Sequence, residues 1–515
     1  MRIGTNVAAI VANNALQKSQ NNLSTSIERL SSGYKINGSK DDAAGCAISE
    51  KMRAQIRGLS QAQNNTADGV SVLNTAEGAI TEIQSMLTRL KELSVQAAND
   101  VNSDDEREAI QKEIEQINNE IDRISDQTEF NTQSLINGNL SRRVYSDLQG
   151  VNQLSVSDSY TAGVYGITVT EDARQAIAVG AGSITMSSTA SITEEQAGAI
   201  NINGYKISIS EGDTLDKVMG KIIDGVNITG GSAFTVKDLN NDTAANGTDY
   251  AGYVPTADYA GSTLVIMTNQ YGSDQKMNIT CDNAELADIL GMPQAATQDG
   301  IYVEGSDVKA EIATGDDGKR IGFADSAILS TKGTVITVTD VNNKEFSMDV
   351  PGNAAGTVFD DSNNDGQSAA GAGTARTISQ EVTDVGTMSI HVGANQDQVI
   401  VIDIPAITTY SLGTEHMNVI TQYTASRAIS TVDEAINKTN KIRSRIGAYE
   451  NRFDHTTNNL EVSSENLTKS LSTMIDTDMS EEMTTYTSET VLTQAATSIL
   501  AQANERPSQV LQLLQ

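Results

Sequence analysis

The chain has no tryptophan, and its 515 residues include only six phenylalanines, five prolines and three histidines. Large aromatic side chains supply much of the buried area in big globular cores, so their scarcity argues against a single large core. The two cysteines, Cys46 and Cys281, are too few for a disulfide framework. They fall in regions of different periodicity, and we expect two free thiols.

Positive charge is also scarce, since 35 lysines and arginines face 67 acidic residues and leave a formal net charge of −32. A polyanion of this size is not suited to neutralising phosphates, so we expect no nucleic acid partner. No apolar run reaches the roughly 18–20 residues that span a bilayer, so we expect no membrane partner either. The N-terminus, MRIGTNVAAIVANNALQKSQ, interrupts its few apolar residues with polar ones and is a poor secretory signal.

Catalytic motifs are missing as well. The sequence has no H-E-x-x-H pair, phosphate-binding loop or G-x-S-x-G elbow, and His391, His416 and His455 stand singly. The best metal candidate, DSNNDG at residues 361–366, matches the first half of an EF-hand loop, but Ala372 occupies the place of the bidentate acid. We therefore expect a solvated acidic turn there, and a protein that is not an enzyme and has no catalytic residue, metal site or cofactor.

Helical periodicity is what the chain has in abundance, and it lies at the two ends. Near the N-terminus Leu23, Ile27 and Leu30 fall on one helical face, and SSGYKING then interrupts the helix with two glycines. Ser103 and Glu106 predict a capping box that starts a later helix. The seam of that helix alternates four and three residues, as in coiled coils: Ile110, Ile114, Ile117, Ile121 and Ile124.

The C-terminal third repeats this pattern. A helical seam continues from Ile429 to Met474, and the chain then ends in VLTQAATSILAQANERPSQVLQLLQ, with apolar residues almost to the last carboxylate. Chain ends normally fray and are polar, so another surface must cover this apolar segment. Long seams with few aromatics predict helices that pack side by side, although an ordinary helical bundle would show the same periodicity.

Between about residues 145 and 385 the pattern changes to period two, which is typical of strands. AININGYKISIS predicts a hairpin with Asn203-Gly204 as its turn, and TVITVTDVNNKEFSMDV predicts another around Asn342-Asn343. The predicted fold is therefore mixed α and β: a long helical coiled-coil rod from both chain ends, plus a β-rich central insert of one or two lobes.

Several segments at the two ends resemble bacterial flagellins. They include NNTADGVSVLNTAEGAI, RLKELSVQAAND and EIDRISDQTEFN near the N-terminus, and NRFDHTTNNL and TSILAQANERPSQVLQLLQ near the C-terminus. AININGYKISISEGDTLDKVMGKI also resembles a module of flagellins and related axial proteins that is named after its Ile-Asn pair. The resemblance implies a structural subunit that polymerises into the extracellular flagellar filament for motility.

The resemblance also implies a division of the chain into five regions. These are a terminal-helix domain at 1–42, the N-terminal half of the rod at 43–145, a variable outer insert at 146–384, the C-terminal half of the rod at 385–475, and a second terminal-helix domain at 476–515. The C-terminal half of the rod is expected to be a strand segment followed by a long helix.

Export and assembly follow from the same resemblance. Flagellins leave the cell unfolded through the flagellum's own channel, which would explain the poor secretory signal. The implied partners are further copies of the chain, an export chaperone, a cap protein and a Toll-like innate immune receptor of the host. The residues expected in filament assembly are apolar and lie at the two ends: Ile3, Val7, Ile10, Leu23, Ile27, Leu30, Ile499, Leu500, Val510, Leu511 and Leu514.

Flagellins that this receptor senses present an arginine, a leucine and a glutamate. The matching motifs, TRLKELSVQ and IQKEI, give Arg89, Leu93 and Glu113 as the expected receptor-binding residues. Arg89 and Leu93 are one helical turn apart, so we expect both to meet a partner on one face. The alternative from the residues alone is that Leu93 packs inward and Arg89 is a solvated charge.

Two other functions are alternatives to a filament subunit. A minor axial protein, such as a hook–filament junction protein, shares the terminal helices but usually diverges from the NNTADGVSVLNTAEGAI and ILAQAN runs kept here. A flagellin with a catalytic insert would need a nucleophile and base, or a metal set, in residues 146–384, and the sequence shows none.

Overall fold

The computed structural model describes residues 6–157, 160–236, 259, 261–293, 295–298, 300–315, 318–340, 344–352, 359–360, 369–370, 375–383 and 385–513. The chain forms two compact units. The first consists of Met1–Val70, Ile390–Ile400 and Asn451–Gln515, and the second of Ser71–Ser389 and Val401–Glu450. This division differs from the five predicted regions, because the longest helices contribute residues to both units.

Helices dominate both ends of the chain, as predicted. In chain order the helices are α1 (Val7–Ser32), α2 (Ala43–Ala97), α3 (Asp104–Gln127), α4 (Leu215–Ile228), α5 (Ala284–Ile289), α6 (Ala295–Gln298), α7 (Thr409–Leu412), α8 (Gln422–Ile475) and α9 (Met479–Leu513).

The helix boundaries follow local sequence signals. Gly33 ends α1 with a left-handed φ of 76°, and its N–H donates to the Arg29 carbonyl, so the predicted break after the first helix is confirmed. The capping box at the start of α3 is confirmed too. Ser103 Oγ accepts from the N–H of Glu106 at 3.3 Å, and the Glu106 carboxylate accepts from the N–H of Ser103 at 2.8 Å.

The buried face of α3 differs from the predicted isoleucine seam. Asn118 and Ser125 are buried on it, whereas Ile117 and Ile124 are only half-buried. Asn118 Nδ2 donates to the carbonyl of Thr414 at 2.8 Å, and Ser125 Oγ donates to another main-chain carbonyl at 3.2 Å. The helix therefore packs against irregular main chain as well as against other helices, which a strict coiled-coil repeat does not anticipate.

In the second unit α2 and α8 run antiparallel. Arg443 on α8 donates from Nε and Nη2 to Oε1 of Glu77 on α2, at 2.9 and 2.6 Å, and from Nη1 to Gln84. Lys91 Nζ on α2 lies 2.6 Å from Oδ1 of Asp433 on α8. Residue numbers rise along one helix as they fall along the other, so these charged contacts fix the register of the pair.

The same two helices meet again in the first unit. There Leu59 and Ala62 of α2 are buried with Leu460 of α8, and Ala394 and Leu467 pack against them. At this level the two helices pack through small and aliphatic side chains.

Strands fill the centre of the chain. They are β1 (Glu129–Phe130), β2 (Gln133–Ser134), β3 (Val144–Ser146), β4 (Asn152–Val156), β5 (Gly163–Glu171), β6 (Ile177–Val179), β7 (Gly198–Ile202), β8 (Tyr205–Ile209), β9 (Gly231–Val236), β10 (Thr263–Thr268), β11 (Lys276–Cys281), β12 (Ile301–Glu304), β13 (Lys309–Ile312), β14 (Ile328–Lys332), β15 (Val335–Thr339), β16 (Glu345–Asp349), β17 (Phe359–Asp360), β18 (Ala369–Ala370), β19 (Arg376–Val382), β20 (Met388–His391) and β21 (Val399–Ile402).

These strands build two lobes with separate cores. The first lobe holds the sheets β13-β5-β19-β3 and β14-β15-β16-β4, and the second holds β12-β11-β7-β8 and β6-β10-β9. Aromatic residues are rare in the chain, yet Tyr160, Tyr165, Phe323 and Phe346 meet in the first core with ring centroids 5.1–6.1 Å apart. The predicted class, helical ends with a β-rich centre of up to two lobes, is confirmed.

The expectation that helices are confined to the ends is wrong. The core of the second lobe is built around α4, whose apolar residues recur at helical spacing: Leu215, Val218, Met219, Ile222 and Val226. The preceding hairpin is as predicted, because β7 and β8 are joined by Asn203 (φ 52°) and Gly204 (φ 92°), both left-handed. Strands β15 and β16 also pair, but their predicted Asn342-Asn343 turn lies outside the described residues.

The chain passes from the first lobe into the second after Arg174 and comes back to the first lobe at Ser306. The main-chain N–H of Arg174 donates to the carbonyl of Ser306 at 2.8 Å, and the N–H of Ser306 donates to the carbonyl of Arg174 at 3.1 Å. The second lobe is therefore inserted between two residues that are direct cross-strand partners.

Candidate functional site

The first candidate site lies on the α2–α3 hairpin, and a buried arginine holds the turn of that hairpin. Arg107 Nε donates to the carbonyl of Ala97 at 3.0 Å, and its Nη2 donates to the carbonyl of Asn99 at 3.1 Å. The last carbonyls of a helix have no partner within the helix, so Arg107 satisfies groups at the carboxyl end of α2. Sequence reasoning missed this residue, because its role depends on the turn that precedes it.

On this hairpin the side chains of Arg89 and Glu113 meet. Arg89 donates from Nε and Nη2 to Oε1 of Glu113, at 3.1 and 2.8 Å, and from Nη1 to Glu92 at 3.2 Å. About half of each side chain of the pair is exposed. The hydrogen bond to Glu113, followed by that to Glu92, raises the pKa of Arg89. The result is a fixed, solvent-facing guanidinium flanked by two carboxylates.

Leu93 does not share this exposure. Its side chain is only 1% exposed and continues the inward-facing series of Leu87 and Leu90. The expectation that Arg89 and Leu93 present one accessible face is therefore wrong for the free subunit, because α2 buries a stripe wide enough to include position 93. Participation of Leu93 in receptor binding stays a prediction.

The second candidate site is the pair of terminal helices, α1 and α9. Asn6 Nδ2 donates to the carbonyl of Ala503 at 2.8 Å, and Asn22 Nδ2 donates to Oε1 of Glu489 at 2.9 Å. Nearer the other end of the pair, the buried Ser26 hydroxyl donates to Glu482. The two chain ends therefore pair as antiparallel helices.

This pair leaves a large part of its apolar surface in solvent. Val7 is 64% exposed, Ile10 51%, Ile27 49% and Ile499 56%. The other expected assembly residues with described side chains, Leu23, Leu30 and Leu500, are half-buried. The remaining four cannot be placed: Ile3 and Leu514 lie outside the described residues, and the side chains of Val510 and Leu511 are not described.

Other chemistry is absent from the described residues. No group of three or more His, Cys, Asp or Glu in the described ranges could hold a metal ion, and the DSNNDG segment lies outside them. None of the helices within those ranges combines the length and hydropathy that crossing a membrane requires. Cys46 and Cys281 are free thiols, and burial raises the pKa of Cys281, whose Sγ lies 3.2 Å from the carbonyl of Asn283.

Comparison with known proteins agrees with the helical ends. Residues 3–141 match the family model of the bacterial flagellin N-terminal helical region, and residues 429–514 match that of the C-terminal helical region. A flagellin of Salmonella typhimurium is 32% identical over 99% of this chain and 99% of its own length. Polar flagellin A of Vibrio parahaemolyticus is 29% identical over 100% of this chain and 99% of its own.

Among solved structures, FliC from Burkholderia pseudomallei aligns with 75% of this chain and 99% of its own at 14% identity, with a TM-score of 0.22 that is too low to compare the folds. The end-to-end match to flagellins gives no support to the junction-protein alternative. Flagellins are structural proteins and not enzymes. The chain therefore belongs to the bacterial flagellin family, and it is a subunit of the flagellar filament.

Proposed function

We propose that the subunit polymerises through the apolar surface of its paired terminal helices. The observation that carries this proposal is the exposure of Val7, Ile10, Ile27 and Ile499 on α1 and α9. Large exposed apolar patches mark interaction surfaces, and a patch that repeats head to tail produces an open helical polymer. The proposed assembly residues also include the other apolar residues expected at the two chain ends: Ile3, Leu23, Leu30, Leu500, Val510, Leu511 and Leu514.

Replacing Ile10 by glutamate tests the assembly surface. Because Ile10 is half exposed, the free subunit should keep its helices, while the filament loses roughly 1.5–3 kcal/mol per subunit contact and gains a buried charge. Filament yield is measured by sedimentation and electron microscopy, and helicity by circular dichroism. Gln17→Glu, at another exposed position of α1, is the matched control. Equal filament yields for the two variants would refute the assembly surface.

Export and partners follow from the family. The subunit is secreted unfolded to the extracellular filament, with an export chaperone and a cap protein as transient partners. We propose no nucleic acid partner, because a chain with a net charge of −32 repels the phosphate backbone. Immunoblots of medium and cells, with and without a functional flagellar export apparatus, test secretion. Undiminished secretion without that apparatus would contradict the proposed export route.

The five-region division is also retained as a proposal. The helix ends lie near two of its boundaries, because α2 begins at residue 43 and α8 ends at residue 475. Limited proteolysis of the free subunit should cut first near these junctions and within 146–384. First cuts inside α2 or α8 would contradict the division.

A Toll-like receptor of the host is the further partner that we propose, with Arg89, Leu93 and Glu113 as the residues on which recognition depends. Arg89 and Glu113 offer an exposed cation and anion on a hairpin held by Arg107. Leu93 is buried, so its contribution is to hold the helix that carries Arg89. Arginines at fixed positions are common interface hot spots.

The receptor proposal is tested with Arg89→Ala. Loss of a charge-assisted contact should weaken binding of the monomer to the receptor ectodomain by about 1–3 kcal/mol, or roughly 5- to 150-fold. Arg123→Ala is the matched control, because Arg123 is also an exposed arginine paired with a carboxylate, that of Glu120. Wild-type affinity of Arg89→Ala, with helicity intact, would refute the site.

A further inference from the structure

A small pocket of about 60 Å³ lies within the second unit, between the first lobe and α8. Its walls come from the cross-strand partners Ser155 and Ser347, from the 405–412 segment, and from one face of α8. On that face stand three cations, Lys438, Lys441 and Arg445, at helical spacing. Such a concentration of positive charge is unusual in a chain with a net charge of −32.

The ammonium group of Lys438 has unused hydrogen-bonding capacity. Within the described residues Nζ makes a single hydrogen bond, to the carbonyl of Ser411 at 3.0 Å, although an ammonium has three N–H donors. Burial lowers the pKa of Lys438, against the opposing effect of Glu434 and Glu345. A desolvated cation without a bonded carboxylate is costly, which favours an anion beside it.

The other charged groups at the pocket are already paired. Lys441 Nζ lies 2.9 Å from Oε2 of Glu345, and Arg445 Nη1 donates to Oδ2 of the buried Asp403 at 3.2 Å. Glu434 lies on the same helix and binds Lys332. With Lys438 left over, the three cations of the pocket exceed their two partner carboxylates, Glu345 and Asp403, by one positive charge.

The size of the pocket limits what it can hold. One water molecule takes up roughly 10–15 Å³ of cavity volume. The pocket, at about 60 Å³, therefore accommodates four or five non-hydrogen atoms. We propose that this pocket binds one small tetrahedral oxyanion, inorganic phosphate or sulfate, through Lys438, Lys441 and Arg445. The bound anion would connect the β4–β16 edge of the first lobe to α8.

Calorimetric titration of the unassembled full-length protein with sodium phosphate and with sodium sulfate, at constant ionic strength set by chloride, tests the site. Binding should be saturable with one site per chain, and acetate should bind more weakly because it offers only two oxygens. Lys438→Met should weaken phosphate binding roughly tenfold or more, since it removes a charge-assisted hydrogen bond. Lys441→Gln, at a largely exposed side chain, should weaken it severalfold.

Glu345→Gln separates anion binding from general damage to the fold. Removing this carboxylate from the pocket wall should tighten phosphate binding, whereas a merely destabilising change would not. Lys112→Met removes an exposed lysine that is paired with Glu108 on α3, and it should leave the affinity unchanged. Binding that does not saturate, or that is the same in Lys441→Gln, Glu345→Gln and the wild type, would overturn the proposal.

Discussion

Arg107 closes the carboxyl end of the helix that precedes it, because its Nε donates to the carbonyl oxygen of Ala97 at 3.0 Å. The guanidinium is buried, with its side chain 8% exposed, and its other contacts are the carbonyl of Asn99 and the carboxylate of Asp104. One side chain thus orders the turn from which α3 returns along α2. The relative position of Arg89 and Glu113 depends on that turn.

Arg107→Met should destabilise the hairpin by about 1.5–3 kcal/mol, because the carbonyls of Ala97 and Asn99 lose a charged donor. It should also lower receptor affinity without touching the proposed contact residues. Hydrogen exchange of the amides in α2 and α3 measures the first effect, and Lys112→Met is the control, since an exposed i,i+4 ion pair contributes little to stability. Equal exchange protection in both variants would show that the hairpin does not need the hydrogen bonds from Arg107 to the end of α2.

Leu93→Ala should act through stability. The side chain is 1% exposed, so truncation leaves a cavity and costs roughly 2–5 kcal/mol, whereas the exposed Val95→Ala stays within ~0.5 kcal/mol. The measurement is the midpoint of helix melting by circular dichroism, paired with receptor binding at low temperature. Leu93→Met, which keeps the volume, should bind nearly as the wild type does. Weak binding by Leu93→Met with an unchanged melting midpoint would instead identify Leu93 as a direct contact.

Removing residues 507–515 should abolish filament formation. The segment QVLQLLQ supplies several aliphatic side chains, and burial of each is worth roughly 1.5–3 kcal/mol. The hydrogen bond from Asn6 to Ala503 lies upstream of the cut, so the terminal helices should still pair and circular dichroism should change little. Removal of Gln515 alone is the control. Normal filaments of the truncated protein in electron micrographs would contradict this prediction.

The second lobe should be removable as a unit. Arg174 and Ser306 exchange two main-chain hydrogen bonds, so replacing residues 175–305 by Asn-Gly should join them through a two-residue hairpin turn. We expect the first lobe to keep its core and the variant to form filaments, as seen by circular dichroism and electron microscopy. A deletion of residues 165–305 should fail, because it removes most of β5, which pairs with β13 and β19. Loss of helicity in the first variant would show that the lobes are interdependent.

Local signals in the sequence predicted much of this structure. The capping box of Ser103 and the turn at Asn203-Gly204 are complete within a few residues, so no distant contact is needed to specify them. The helix α4 carried an equally local signal, Leu215 to Val226 at helical spacing, which the strand pattern around it obscured. The burial of Asn118 and Leu93 depends on which segments pack against α3 and α2, and periodicity alone does not reveal those neighbours.

The pairing of the chain ends has a consequence for the order of events in synthesis. Asn22 and Glu489 are 467 positions apart, so α1 emerges from the ribosome long before its partner helix does. Contacts between such distant segments form slowly, because a long loop must close before they are made. A chain that stops anywhere before residue 479 cannot form this pair at all. Pairing of α1 with α9 therefore occurs only in chains synthesised at least this far, and shorter products lack the paired helices that neighbouring subunits would contact.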